Sequence, residues 1–299
     1  MPDPVLQTGP QPEALRLFQT RAPTRRRPLP LEGHRVVWVY TIPAWLFFLL
    51  VPIAAAALSS GGLLTFRHVV KQSDELTHND VAGPIIGTVG TILAVILSFL
   101  LVTVWQEYDG SAGNVAREAS AVADLYHLAA NLPNPVAQRL RATLRLYVDA
   151  VVTDEWPAMR GGRSSAVARN AALATLDIVA RYQPRSVSQQ AIQQSAFGLI
   201  STFQDARRDR LFANQQGIPA FFWVGDLLLA LVTIGFCYIF RVRSQVAHLV
   251  MTVALSTVIA TIFVLIALFD YPFRGDTQIS PAVFVQLQHA LTIGVNESD

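Results

Sequence analysis

Charge is scarce in this sequence, and its absence falls in long blocks. Asp, Glu, Lys and Arg make up 15% of the 299 residues, while apolar residues make up 52%. Segments 36–66, 81–106 and 244–269 carry no charged residue, and segment 218–240 carries only Asp226. Cysteine occurs once, as Cys237, which excludes an intrachain disulfide. The formal net charge of +2 argues against a strongly basic nucleic-acid binder. The histidines (His34, His68, His78, His127, His248, His289) are scattered without ligand spacing, so no metal site is expected. A phosphate-binding glycine loop, G-x-S-x-G, H-E-x-x-H and a cysteine paired with a histidine are all missing, so neither an enzyme nor a cofactor is expected.

What is present is four apolar runs in two pairs, each long enough for the ~20 residues that cross a ~30 Å hydrocarbon layer. Inside lipid every backbone N–H and C=O must bond within its own segment, so these runs predict helices. The expected fold class is all-α, with four transmembrane helices in two pairs and a helical cytoplasmic bundle between them. The bilayer itself is then the first partner.

The arginines set the orientation. Arg16, Arg21, Arg25, Arg26, Arg27 and Arg35 precede the first run, and the polar middle carries a dozen more. Only Arg67 and Lys71 follow the first run, and only Arg241 and Arg243 separate the third from the fourth. This asymmetry predicts cytoplasmic N- and C-termini. The first run is too long for a cleaved leader and its basic region starts too far in, so it is expected to stay as a span.

The expected divisions are a disordered Pro- and Arg-rich tail at 1–35, spans one and two at 36–106, and a helical bundle at 107–217. Spans three and four follow at 218–269, and a C-terminal segment at 270–299. Pro43 and Pro52 are expected to kink span one, and Gly83-Pro84 to open span two. Span two should run on past the membrane to Asn131, with a bend near Gly110. Helices are also expected over 135–159, 166–182 and 187–216, the first from the spacing of Leu140, Leu144, Tyr147 and Val151.

Three sets of residues invite a functional reading. At about 100° per residue, Thr88, Thr91, Val95, Ser98 and Val102 share one face of span two. Hydroxyls alternating with aliphatic groups can hydrogen-bond a partly dehydrated ion beside an apolar neck. Without a carboxylate on it, this face suits anions better than cations. The same Thr and Ser residues, with Gly83-x-x-x-Gly87 and Gly90-x-x-x-Ala94, equally suit close helix packing, and the two readings are compatible. Asp226 lies about two turns inside span three, where a carboxylate costs on the order of 3 kcal/mol unless protonated, paired or wetted. It is therefore a candidate ion or proton site, or a carboxyl hydrogen-bonded to a neighbouring helix. Glu118, Glu155, Arg207, Arg208 and Arg210 form a charged motif in the bundle, read chiefly as structural ion pairs and secondly as a charged vestibule. Trp156 reads as a packing anchor.

Together these residues resemble a family. Glu118-Ala in AREASAVADLYHLAANLP, Tyr147 and Glu155-Trp156 in YVDAVVTDEW, the Arg207–Arg210 cluster, Ile218-Pro219 with Trp223, and Asp270-Tyr-Pro-Phe-Arg-Gly275 are similar to the bestrophin-like membrane proteins of bacteria. The resemblance implies a homo-oligomer, a pentamer among the options, with span two lining a central conduit and an anion such as chloride permeating it. Span two lacks the aromatic-rich constriction of the bestrophins, and no acidic calcium-binding run stands near the C-terminus, so calcium gating is not carried over. Two other functions compete. One is a proton-channel subunit of a motor-type energy-coupling complex, which shares the two-plus-two span layout. The other is a non-conducting membrane scaffold whose bundle binds a partner.

Overall fold

The computed structural model describes residues 42–70, 79–240, 242 and 244–296. The expected disordered tail at 1–35, and the loop basic residues Lys71, Arg241 and Arg243, lie outside them. The described residues form helices without strands, in the order α1 (Ala44–Val69), α2 (Asn79–Leu128), α3 (Val136–Ala150), α4 (Trp156–Arg160), α5 (Ala166–Ala180), α6 (Val187–Ala213), α7 (Ala220–Ile239), α8 (Gln245–Phe269) and α9 (Ala282–Asn296). Four of them, α1, α2, α7 and α8, are long and apolar enough to cross a membrane.

Local chemistry sets the helix ends. The side chains of Ser165, Ser186 and Ser244 accept hydrogen bonds from backbone N–H groups in the first turns of α5, α6 and α8. Each satisfies a donor that has no partner inside the helix. Pro43 stands at the N-cap of α1 and so does not kink its interior as expected; only Pro52 lies inside that helix. The start of a helix tolerates proline because the missing N–H would be unbonded there anyway. Conversely, α2 begins before Gly83-Pro84, so Pro84 lies inside the helix.

At 50 residues α2 spans about 75 Å, more than twice the hydrocarbon thickness. One end crosses the membrane, and the other becomes the spine of the polar bundle without interruption at Gly110 or Gly113. A short 3₁₀ turn at Ala129–Asn131 ends it, just ahead of Pro133 and Pro135, which cannot supply the next N–H donors. In the membrane part, Leu93, Leu97 and Val104 of α2 pack with Ala230 of α7 and with Ile259 and Ile266 of α8. The bundle has a larger core, built from Val122, Leu125, Leu140, Leu144, Tyr147, Met159, Phe203 and Phe284 among others.

Two features depart from the expected outline. Between α3 and α4 the chain makes one π-helical turn, Val151–Glu155. It ends just before Trp156-Pro157, where a proline that lacks an N–H and collides with the preceding turn favours a wider helix. Beyond the four spans, α9 folds back so that Phe284 and Leu291 join the bundle core.

The run between α6 and α7 is tightly held. Asp270 Oδ1 accepts from Ile218 N at 2.6 Å, and Arg274 Nη2 donates to the Asn214 carbonyl at 2.8 Å. The Arg274 guanidinium lies over the Tyr271 ring, 4.2 Å from its centre. A Cβ at Gly217 would sit 2.5–2.8 Å from the far edge of that ring. Gly217→Ala is therefore expected to lower stability by about 1–3 kcal/mol, the usual cost of overpacking, read as an earlier thermal transition of the detergent-solubilised protein. A transition at the wild-type temperature would show that the ring yields freely.

Candidate functional site: the open face of α2 and the buried ion cluster

The two sides of α2 differ sharply within its membrane part. Leu93, Leu97 and Val104 are 3%, 1% and 4% exposed against α7 and α8. Thr88, Thr91, Val95, Ser98 and Val102 are all exposed. Thr91, Ala94, Val95, Ser98, Phe99 and Val102 line a shallow groove along this uncovered side. The five residues on one helical face thus lie along a surface that the other described helices of the protomer do not occupy.

The hydroxyls on that surface are already donors. Thr88 Oγ1 donates to the Pro84 carbonyl at 3.0 Å, Thr91 Oγ1 to Gly87 at 2.8 Å, and Ser98 Oγ to Ala94 at 2.7 Å. A carbonyl can only accept, so each hydroxyl proton is directed back into the helix. Each oxygen keeps lone pairs for any group that approaches from outside.

Four of the five residues of the charged motif meet inside the bundle. Arg210 of α6, 0% exposed, donates through Nε and Nη2 to both oxygens of Glu118 on α2, at 2.7 and 2.8 Å. The same Nη2 reaches Glu155 Oε2 at 2.9 Å, and Nη1 lies 2.9 Å from the Met159 sulfur. Arg207 pairs with Glu155 Oε1, which also accepts from the Ser165 backbone N–H at 3.2 Å. The Tyr147 hydroxyl donates to Glu118. Trp156 packs its ring 5.1 Å from the Arg210 guanidinium carbon and donates through Nε1 to the Ile279 carbonyl at 3.0 Å. Two carboxylates face two guanidiniums, so the cluster is formally neutral. Burial opposes the charge on Arg210, yet the attraction and hydrogen bonds of Glu118 outweigh it and hold the guanidinium more firmly protonated than usual. Burial, reinforced by the Glu118 charge, lifts Tyr147 well above the ordinary tyrosine range and keeps its phenol a donor.

The geometry explains who belongs. Arg207 and Arg210 are three apart and share a face of α6, whereas Arg208 is turned to solvent, where it pairs with Asp205. Arg208 is therefore not part of the cluster. The π turn delivers Glu155, which stands at its end with both Val151 and Glu155 buried. The cluster locks the bundle end of α2 to α6 and to the α3–α4 turn.

Asp226 is 5% exposed and lies on the inward side of α7 with Ala230 and Thr233. It has no hydrogen-bond or ion-pair partner among the described residues and does not share the open face of α2.

A polar ladder between α1, α7 and α8 was not anticipated from the sequence. Ser59 Oγ and Ser256 Oγ are 2.8 Å apart, and the Tyr238 hydroxyl donates to the Ser59 carbonyl at 2.9 Å. Arg67 Nη2 lies 2.7 Å from His248 Nδ1, and His248 Nε2 lies 2.8 Å from the Cys237 carbonyl. A guanidinium only donates and a carbonyl only accepts, so the imidazole proton belongs on Nε2. The available signal was Ser59, Ser256 and His248 standing inside otherwise apolar runs, where polar groups find partners across helices.

Comparison with known proteins bears on this arrangement. No curated protein matches the chain. Among solved structures, a bacterial bestrophin homologue from Klebsiella pneumoniae aligns with a TM-score of 0.60 at 11% identity, covering 82% of this chain and 96% of that one. A single-residue variant of the same homologue gives 0.61 at 12% identity, covering 83% and 98%. At such identity the likeness shows a shared fold. The Bestrophin-like domain family itself matches residues 53–284, from the first span into α9. The motifs that suggested the resemblance all lie within that match, and the chain belongs to the bestrophin-like family.

Proposed function

We propose that this chain is the subunit of an oligomeric ion channel whose conduit is lined by the open face of α2. One observation carries the reading: the hydroxyl-and-aliphatic side of α2, from Thr88 to Val102, is left bare while its opposite side is packed. Copies arranged about an axis would turn these faces toward one another and enclose a neck of small hydroxyl and aliphatic groups, the kind of lining that passes ions and closes by dewetting. The homo-oligomer, with a pentamer as one form, sits in the bacterial inner membrane. The bundle and both termini face the cytoplasm, as the arginine asymmetry requires. The neck is uncharged, so the chloride preference implied by the family resemblance is not set by the neck alone.

The buried ion cluster serves this function structurally. It ties the bundle end of the conduit helix to α6, so motion of the bundle is passed to α2 as a rigid body. Asp226, buried on another helix, takes no part in conduction. Asp226→Asn is expected to leave ion flux into proteoliposomes unchanged when the purified oligomer is compared with wild type. Proton flux that depends on Asp226 would instead favour a motor-type proton channel. Silence of intact oligomers under every ion gradient would favour a non-conducting scaffold.

A further inference from the structure

We infer that the bundle carries an oxyanion site at the far end of α2, where Arg141, Arg145 and Tyr126 hold a phosphate group, free or as a soluble phosphomonoester. The site stands apart from the open face of α2, and the inference does not depend on what that face lines.

Arg141 and Arg145 are four apart and share a face of α3. Both converge on one side chain. Their guanidinium carbons lie 5.1 and 5.3 Å from the centre of the Tyr126 ring, and Tyr126, near the end of α2, is only 7% exposed. Arg141 Nε donates to the Tyr126 carbonyl at 3.4 Å, and Arg145 Nη2 donates to the Tyr126 hydroxyl. Neither guanidinium pairs with a carboxylate among the described residues. Asp149, one turn after Arg145 in α3, accepts instead from Gln288 Nε2 at 2.8 Å, and Asp124, two residues before Tyr126, is exposed. Like charges at this helical spacing repel, and no acidic side chain offsets the repulsion here.

Donors outnumber acceptors in this cluster. Arg145 Nε is buried and bonds no acceptor among the described residues. The Tyr126 hydroxyl accepts from Arg145, which leaves its own proton without an acceptor among them. Arginines such as Arg139 and Arg169 differ, since each is exposed and water can serve it. Arg141 and Arg145 are half-buried, so water serves them less well. A half-buried pair of cations with only donors to offer suits a dianion that carries several acceptor oxygens. Phosphate meets that need, because its oxygens accept from two guanidiniums and a hydroxyl at once, and charge-assisted bonds of this kind are the strong ones. Its charge also removes the repulsion between the two arginines. Tyr126 stands about 30 Å along α2 beyond Gln106, where the apolar run ends. That distance puts the site out of reach of lipid headgroups and points to a soluble ligand.

The test is isothermal titration calorimetry of inorganic phosphate into the purified oligomer at constant ionic strength, for wild type, Arg141→Gln, Arg145→Gln, Arg145→Lys and Tyr126→Phe. Wild type should bind saturably, with a dissociation constant below about 1 mM. Arg141→Gln and Arg145→Gln should each weaken binding at least about tenfold, and Tyr126→Phe should weaken it less. Arg145→Lys keeps the charge but loses the planar fork, so it should fall between wild type and Arg145→Gln. Arg141 makes a single long bond to the protein, so Arg141→Gln should assemble as wild type and decides the matter if Arg145→Gln does not fold. No saturable binding to intact wild-type oligomer overturns the site, and so does wild-type affinity in Arg141→Gln and Arg145→Gln alike. Repeating the wild-type titration in nanodiscs with and without phosphatidic acid separates a soluble ligand from a lipid headgroup. Equal affinity in the two is expected, and competition by the lipid overturns the soluble ligand.

Discussion

Arg210→Met should destabilise the protein by about 3–5 kcal/mol, the cost of removing one partner from a buried ion pair. Among the described residues, the guanidinium is the only group that bonds both Glu118 and Glu155. Without it, among the described residues, Glu118 keeps the Tyr147 hydroxyl as its hydrogen-bond donor, and Glu155 keeps Arg207 and one backbone N–H. The methionine would fill similar volume and still pack on Trp156, so the loss measures the electrostatics more than a cavity. Against a typical total of about 5–15 kcal/mol, this is a large fraction of the stability. Arg210→Lys restores the charge but not the planar fork that meets both oxygens of Glu118, so it should fall between wild type and methionine. The check is thermal unfolding of the solubilised oligomer. An Arg210→Met transition at the wild-type temperature would mean that the two carboxylates need no cation there.

Much of this architecture is written in the sequence in plain physical terms. The charge-free runs give the four spans, because few other arrangements tolerate so many consecutive apolar residues. The length of α2 was legible from the lack of any proline between Pro84 and Pro133, and Gly110, where a bend was expected, does not interrupt it. The separation of Arg208 from Arg207 and Arg210 was legible in principle too, since residues three apart share a face and their immediate neighbours do not. The π turn was not, because a widened turn leaves no periodic signature and Pro157 marks only where it ends. The C-terminal helix was missed although Phe284, Leu287 and Leu291 recur at helical spacing; its apolar stripe is short and follows a segment rich in turns. The Ser59–Ser256 contact joins residues nearly 200 positions apart, and only the packing of α1 on α8 brings them together. The open face of α2 is a middle case. Helical spacing grouped its five residues, but that no other described helix of the protomer covers them is a property of the fold.

That face carries the second large effect. Ser98→Leu replaces a hydroxyl already bonded to Ala94 with a branched aliphatic group, in the groove between Val95 and Val102. Ser98 is exposed, so the substitution creates no cavity and strands no partner, and the oligomer should assemble unchanged. In a conduit ringed by copies of this face, however, every subunit adds apolar bulk at one level. The neck then narrows and loses its oxygen ligands at the same point, and its wetting becomes unfavourable. A barrier increase of only about 1.4 kcal/mol lowers conduction tenfold. The most direct measurement is ion flux into liposomes holding equal amounts of wild-type and Ser98→Leu oligomer, with potassium and chloride gradients imposed separately. At least tenfold lower flux in Ser98→Leu, with the oligomer intact, is the expected result. Equal flux in the two proteins would contradict a conduit lined by α2.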